Sequence, residues 1–130
     1  MKIKQGKPII AWLLKLKFPI RKETIITWGD TIYVEKGVIM KEDVRQHELV
    51  HIRQQKSSKW YGLWFMIRFI TSKMFRTEVE LEAFKAQYKY ICDNGYDKEF
   101  HLRLMANELS SELYGSMMSY GGAIKLIKKQ

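Results

Sequence analysis

Residues 24 to 34 read Thr24-Ile25-Ile26-Thr27-Trp28-Gly29-Asp30-Thr31-Ile32-Tyr33-Val34, two β-branched and aromatic runs either side of a Gly-Asp pair. Such runs suit a pleated, half-buried surface, and the glycine supplies the positive φ that a tight primed turn requires. The stretch therefore predicts a β-hairpin. Lys36-Gly37 reads as a second turn and Val38-Ile39-Met40 as a candidate third short strand. Upstream, residues 9 to 18 are compatible with either a short helix or a strand, closed by Pro19. Downstream, Glu42 and Asp43 place acid where a helix dipole favours it, which predicts a helix from Val44 to about Lys56. A second, very apolar helix is expected from Ser57 or Ser58 to about Ser72. A third should run from an N-cap at Thr77 to about Ile91, closed by Asp93-Asn94-Gly95. A fourth fits residues 97 to 109, and Ser119 caps a short basic helix through Lys129. No repeats or low-complexity tracts interrupt this order. The expected fold class is α+β, a small antiparallel hairpin sheet followed by a helical bundle.

With 130 residues, 46% of them hydrophobic, the chain is expected to form one domain over 1–130 with a real core and no dependence on disulfides. Its single cysteine, Cys92, has no partner and reads as a small buried residue near a helix end. The net charge of +9 is unevenly spread. Residues 1–22 hold seven Lys or Arg and no acid, and the C-terminal segment 119–130 holds three with none, whereas the stretch from 23 to 124 carries 13 basic against 14 acidic residues. Basic ends suit nucleic acid, acidic lipid or an acidic partner, and serve equally as a solubility device. The apolar runs at Pro8 to Leu14 and Trp60 to Ile70 are too short or too interrupted by charge for a signal peptide or a membrane span, so a cytoplasmic protein is expected.

Within the helix expected after the sheet lies His47-Glu48-Leu49-Val50-His51. Positions i and i+4 share a helix face, so the two imidazoles can reach one metal ion. Zinc suits two histidines, and a catalytic zinc site takes a third protein ligand while leaving a position for water. Glu48, about 100° round the helix from His47, can sit beside that water as a general base instead of on the metal. The third ligand should come from a neighbouring helix. Glu80 in Thr77-Glu78-Val79-Glu80-Leu81-Glu82-Ala83-Phe84 is the first choice, because small Ala83 lets that helix approach closely. Thr77-x-x-Glu80 is also a capping box, in which Glu80 would cap its own helix and Glu82 or Glu78 would replace it.

An H-E-x-x-H helix followed about 30 residues later by E-x-x-A resembles the gluzincin, thermolysin-like branch of zinc peptidases. HELVHIRQQ, WYGLWFMIRFI and EVELEAFKAQ resemble, more closely, small metallopeptidases of bacterial and bacteriophage genomes, over roughly residues 28 to 92. The resemblance implies His47, His51 and Glu80 as zinc ligands, Glu48 as base, one zinc per chain and a peptide or protein substrate. The sequence departs from the thermolysin-like pattern in lacking its large second domain, which leaves the substrate cleft undefined.

Stabilising the oxyanion of such a reaction needs a further donor; His101, Tyr88 and Tyr90 are candidates, though each reads more simply as packing or surface. Gln54 and Gln55 are either supports of the site or part of a solvated face. Trp60, Tyr61, Trp64, Phe65 and Phe69 read as cover for the motif helix, with membrane contact the sharper alternative. If the strand nearest the metal has a free edge, it could bind an extended peptide by strand addition. The competing functions are a silent structural or virion component of the same fold, and a nucleic-acid-binding module using the basic ends.

Overall fold

A computed structural model describes residues 1–58 and 62–129. Among these are three strands, β1 (Lys2–Gln5), β2 (Ile26–Trp28) and β3 (Thr31–Val34). Six α-helices accompany them: α1 (Ala11–Lys15), α2 (Glu42–Lys56), α3 (Leu63–Thr71), α4 (Lys73–Asp93), α5 (Lys98–Leu109) and α6 (Tyr120–Lys128). The chain is α+β, a small sheet followed by packed helices. The expected hairpin is present, with Trp28 opposite Thr31 and Ile26 opposite Tyr33. Gly29 takes φ 64° while Asp30 keeps a negative φ, the arrangement of a type II′ turn.

The third strand is not Val38-Ile39-Met40. β1 fills that place, pairing parallel with β3 so that Ile3 lies opposite Ile32, and the sheet order is β1-β3-β2. Lys-Ile-Lys-Gln has a single apolar residue, Ile3, and is exposed throughout, so it carries no hydrophobic pattern. Its strand state comes from pairing with β3. Val38 and Met40 instead pack as irregular chain against Ile32, Val34 and Ile52.

α2 starts two residues before the expected Val44, at Glu42. α4 departs further: Ser72, not Thr77, is its N-cap, accepting from the Phe75 backbone N–H at 3.2 Å. Thr77 lies inside the helix and donates its hydroxyl to the Lys73 carbonyl at 2.8 Å. The Thr77-Glu80 capping box therefore does not form. α3 is shorter than expected, opening at Leu63 after Gly62 at φ 89°; Trp60 and Tyr61 lie outside the described residues. Ser119 caps α6 as expected, through the Gly122 backbone N–H, and Asp97 caps α5 through that of Phe100. Cys92 is exposed, not buried, because the last turn of α4 turns it away from the core.

Besides the small cluster around Ile32, two larger apolar cores form. Phe84 and Tyr88 of α4 pack with Leu102, Met105, Ala106 and Leu109 of α5 and with Ala123 and Ile127 of α6. A second core joins α1, β2, α3 and Val79 of α4 through Ala11, Leu14, Phe18, Ile26, Phe65 and Met66. Burying each large aliphatic side chain contributes about 1.5–3 kcal/mol. Between these cores α2 lies along α4. No helix among the described residues is long and apolar enough to cross a membrane.

Candidate metal centre

One stripe of α4 faces α2. Glu80 approaches His47 and His51, the Phe84 ring meets the His47 ring edge-on at 4.5 Å, and Gln87 donates to Asp43 at 2.7 Å. Ala83, one turn from Glu80 and one from Gln87, falls on the same stripe and is fully buried. A larger side chain there would drive the helices apart.

The three donors converge. His47 Nε2 lies 3.1 Å from His51 Nε2, and Glu80 Oε2 lies 3.3 Å and 3.5 Å from these two nitrogens. All three residues are buried. Glu80 Oε2 nevertheless makes no hydrogen bond, although it sits within ion-pair reach of both rings. Glu82 and Glu78, the alternative third ligands, are exposed, and Glu82 is paired with Arg53 and Gln54.

Gln54 fixes the state of His51. Its amide Nε2 donates to the Val79 carbonyl at 3.1 Å and to the Glu82 carboxylate at 2.8 Å, both of which can only accept. Its amide oxygen must then face His51 Nδ1, at 2.9 Å, so Nδ1 is the protonated nitrogen. The other nitrogen, Nε2, points its lone pair at Glu80 unless a cation intervenes. That cation is either a proton or a metal ion. Burial by itself would push the His51 pKa down, but the Glu80 carboxylate outweighs it and raises it to about 9. Burial would likewise raise Glu80, and the two histidines instead lower it to about 2. His47, His51 and Glu80 are thus positioned to hold a metal ion.

Against models of protein families, curated proteins and solved structures, the chain has no match.

Glu48 stands apart from the three donors. Thr27 of β2 donates its hydroxyl to Glu48 Oε2 at 2.6 Å, which turns the carboxylate towards the sheet. Gln55, 2% exposed, ties the same strand to α2: its Nε2 donates to the Thr27 carbonyl at 2.9 Å and its Oε1 accepts from the Gly29 N–H at 2.7 Å. Gly62 is required beside it, since a Cβ there would lie 2.7 Å from that oxygen. Gln54 and Gln55 are therefore supports of the site and not a solvated face.

Of the residues weighed as oxyanion donors, none reaches the donors. Tyr88 is in the α5/α6 core, Tyr90 stacks on Tyr96, and His101 contacts Tyr96 and Phe100. Tyr114, in a 3-10 turn (Glu112–Tyr114), does reach them. It lines the same pocket as His47, Glu48, His51 and Glu80, and its pKa is pushed well above the usual tyrosine value by burial and then by the charges of Glu80, Glu108 and Glu48. Its phenol stays protonated. Arg76, 2% exposed, holds this turn by donating to the Tyr114 carbonyl at 3.0 Å while also donating to the Phe69 carbonyl at 2.7 Å.

A cleft of about 750 Å³ opens onto His47 and Glu48. Its walls carry Glu23, Glu108 and Glu112 against one cation, Arg21, so a basic chain has an acidic cleft. Desolvation pushes the Glu108 carboxyl up, His47 opposes this, and Glu80 and Glu48 add to it. Among the described residues the strand nearest the donors, β2, pairs with β3 alone. Gln55 occupies the other edge at Thr27 and Gly29, and Ile25, the residue just before the strand, lines the cleft.

Proposed function

We propose that the protein is a zinc hydrolase acting on peptide bonds, with His47, His51 and Glu80 as metal ligands and Glu48 as general base. The observation that carries the reading is the buried triangle of two imidazole nitrogens and one carboxylate oxygen. Ligands about 2.0–2.1 Å from a tetrahedral zinc stand about 3.3 Å from one another. The edges of the triangle are 3.1, 3.3 and 3.5 Å. Two imidazoles and one carboxylate favour zinc over the hard cations, which prefer all-oxygen sites. Bound zinc would supply a Lewis acid and a water acidified towards neutrality.

Each remaining task falls to a residue of the chain. Glu48, oriented by Thr27, accepts a proton from the attacking water and passes it to the departing amine. The Tyr114 phenol is the donor available to an oxyanion developing beside it. An extended peptide could lie along the edge at Ile25, with basic side chains against Glu23, Glu108 and Glu112. Glu48→Gln is expected to abolish cleavage of a peptide library while leaving zinc content at one per chain. Wild-type protein that binds zinc but cleaves nothing, or Glu48→Gln protein that cleaves as well as wild type, would contradict the enzymatic reading.

A further inference from the structure

α1 and α3 are apolar on both faces. Ala11, Leu14 and Phe18 face the core with Phe65 and Met66, yet Ile9, Trp12 and Leu16 are exposed by 84%, 61% and 75%. On α3, Leu63, Trp64 and Ile67 are also exposed, followed by Met74 at the start of α4. The two segments are neighbours: they share one core, and the Lys17 ammonium at the end of α1 donates to the Ile70 carbonyl near the end of α3 at 2.7 Å. A helix with apolar residues on its solvent face as well as its core face leaves surface that water does not favour.

The segments that carry this surface hold charge of one sign. Residues 1–22 contain no acid, and neither do residues 49–77, which carry Arg53, Lys56, Lys59, Arg68, Lys73 and Arg76. Lys15, Lys17, Arg68 and Lys73 are exposed alongside the apolar side chains. Exposed tryptophans and aliphatics flanked by lysine and arginine, with acid excluded, match an anionic lipid surface in both chemistry and sign. A protein partner reached through apolar contact alone would not require acid to be missing from both segments.

We infer that the α1/α3 face docks on anionic membrane surfaces, with Trp12 and Trp64 entering the headgroup boundary and Lys15, Lys17, Arg68 and Lys73 meeting lipid phosphates. The surface lies outside the metal centre, so the inference stands whether or not the protein is a hydrolase. The test is co-sedimentation of the full chain with vesicles of equimolar phosphatidylcholine and phosphatidylglycerol. Binding is expected to those vesicles, to be lost on pure phosphatidylcholine, and to weaken steeply with added salt. Trp12→Ser/Trp64→Ser, both exposed and so compatible with the fold, should weaken it on the order of tenfold or more, as should Lys15→Gln/Arg68→Gln. Absence of wild-type binding would overturn the inference. So would undiminished binding of both double variants, which would move the contact to the basic C-terminal segment. A wild-type dimer in gel filtration that Trp12→Ser/Trp64→Ser dissolves would assign the face to a second copy of the chain and overturn it equally.

Discussion

The two buried faces of α4 are almost equally hidden from water and opposite in chemistry. Towards α5 and α6 the helix buries Phe84 at 1% exposure against Leu102, Leu109 and Ile127, a packed apolar interior. Towards α2 it buries Glu80 at 3%, with Gln87 two turns further on, against Asp43, His47 and His51. The apolar face gains free energy from leaving water. The polar face loses solvation and recovers it only through its partners: Gln87 with Asp43, Gln54 with His51, Gln55 with β2. At its centre the recovery is incomplete, because Glu80 Oε2 and His47 Nδ1 have no hydrogen bond. One face holds the helix in place; the other keeps donors available.

The largest expected effect lies on the apolar side. Leu109→Ala should lower unfolding free energy by about 2–5 kcal/mol in denaturant titration, with zinc stoichiometry unchanged in the protein that remains folded. Loss of zinc binding by folded Leu109→Ala protein would show that the two faces are not separable.

On the polar side, pH should move metal-free and zinc-loaded protein in opposite directions. The His51 pKa is raised in the folded state, so without metal its contribution is fully present below about 6.5 and fades as pH rises through about 9. Glu80 is lowered, so its contribution is present above about 4.5 and is lost as pH falls through about 2. Metal-free protein should be most stable between about 4.5 and 6.5. Zinc must displace the His51 proton, so its affinity should rise with pH towards 9. Thermal melts with and without chelator across that range check this, and parallel curves would break the link between proton and metal.

The smallest effect belongs to the support of His51. Gln54→Ala should leave the fold intact and weaken zinc affinity about 10–100-fold, read by competition with a chromophoric chelator. Unchanged affinity would mean that the tautomer is not set by Gln54.

What was legible in the sequence was what local pattern carries. The hairpin declared itself through Thr24 to Val34, and the histidine pair through helical spacing. The start of α4 was not legible, since Ser72 and Thr77 are both competent caps and only packing with α3 selects between them. That choice decided whether Glu80 was a cap or a donor. β1 lacked any apolar alternation, and Tyr114 reaches the centre from a turn 34 residues beyond Glu80, where no periodicity points. Gln55 looked like one more polar residue of a helix until β2 supplied its partners.

A crystal of the zinc-soaked protein, measured for anomalous scattering at the zinc edge, tests the central claim most directly. One strong peak is predicted per chain, enclosed by His47 Nε2, His51 Nε2 and Glu80 Oε2, and absent in crystals of Glu80→Gln. A peak elsewhere, or none between these three atoms, would contradict the account.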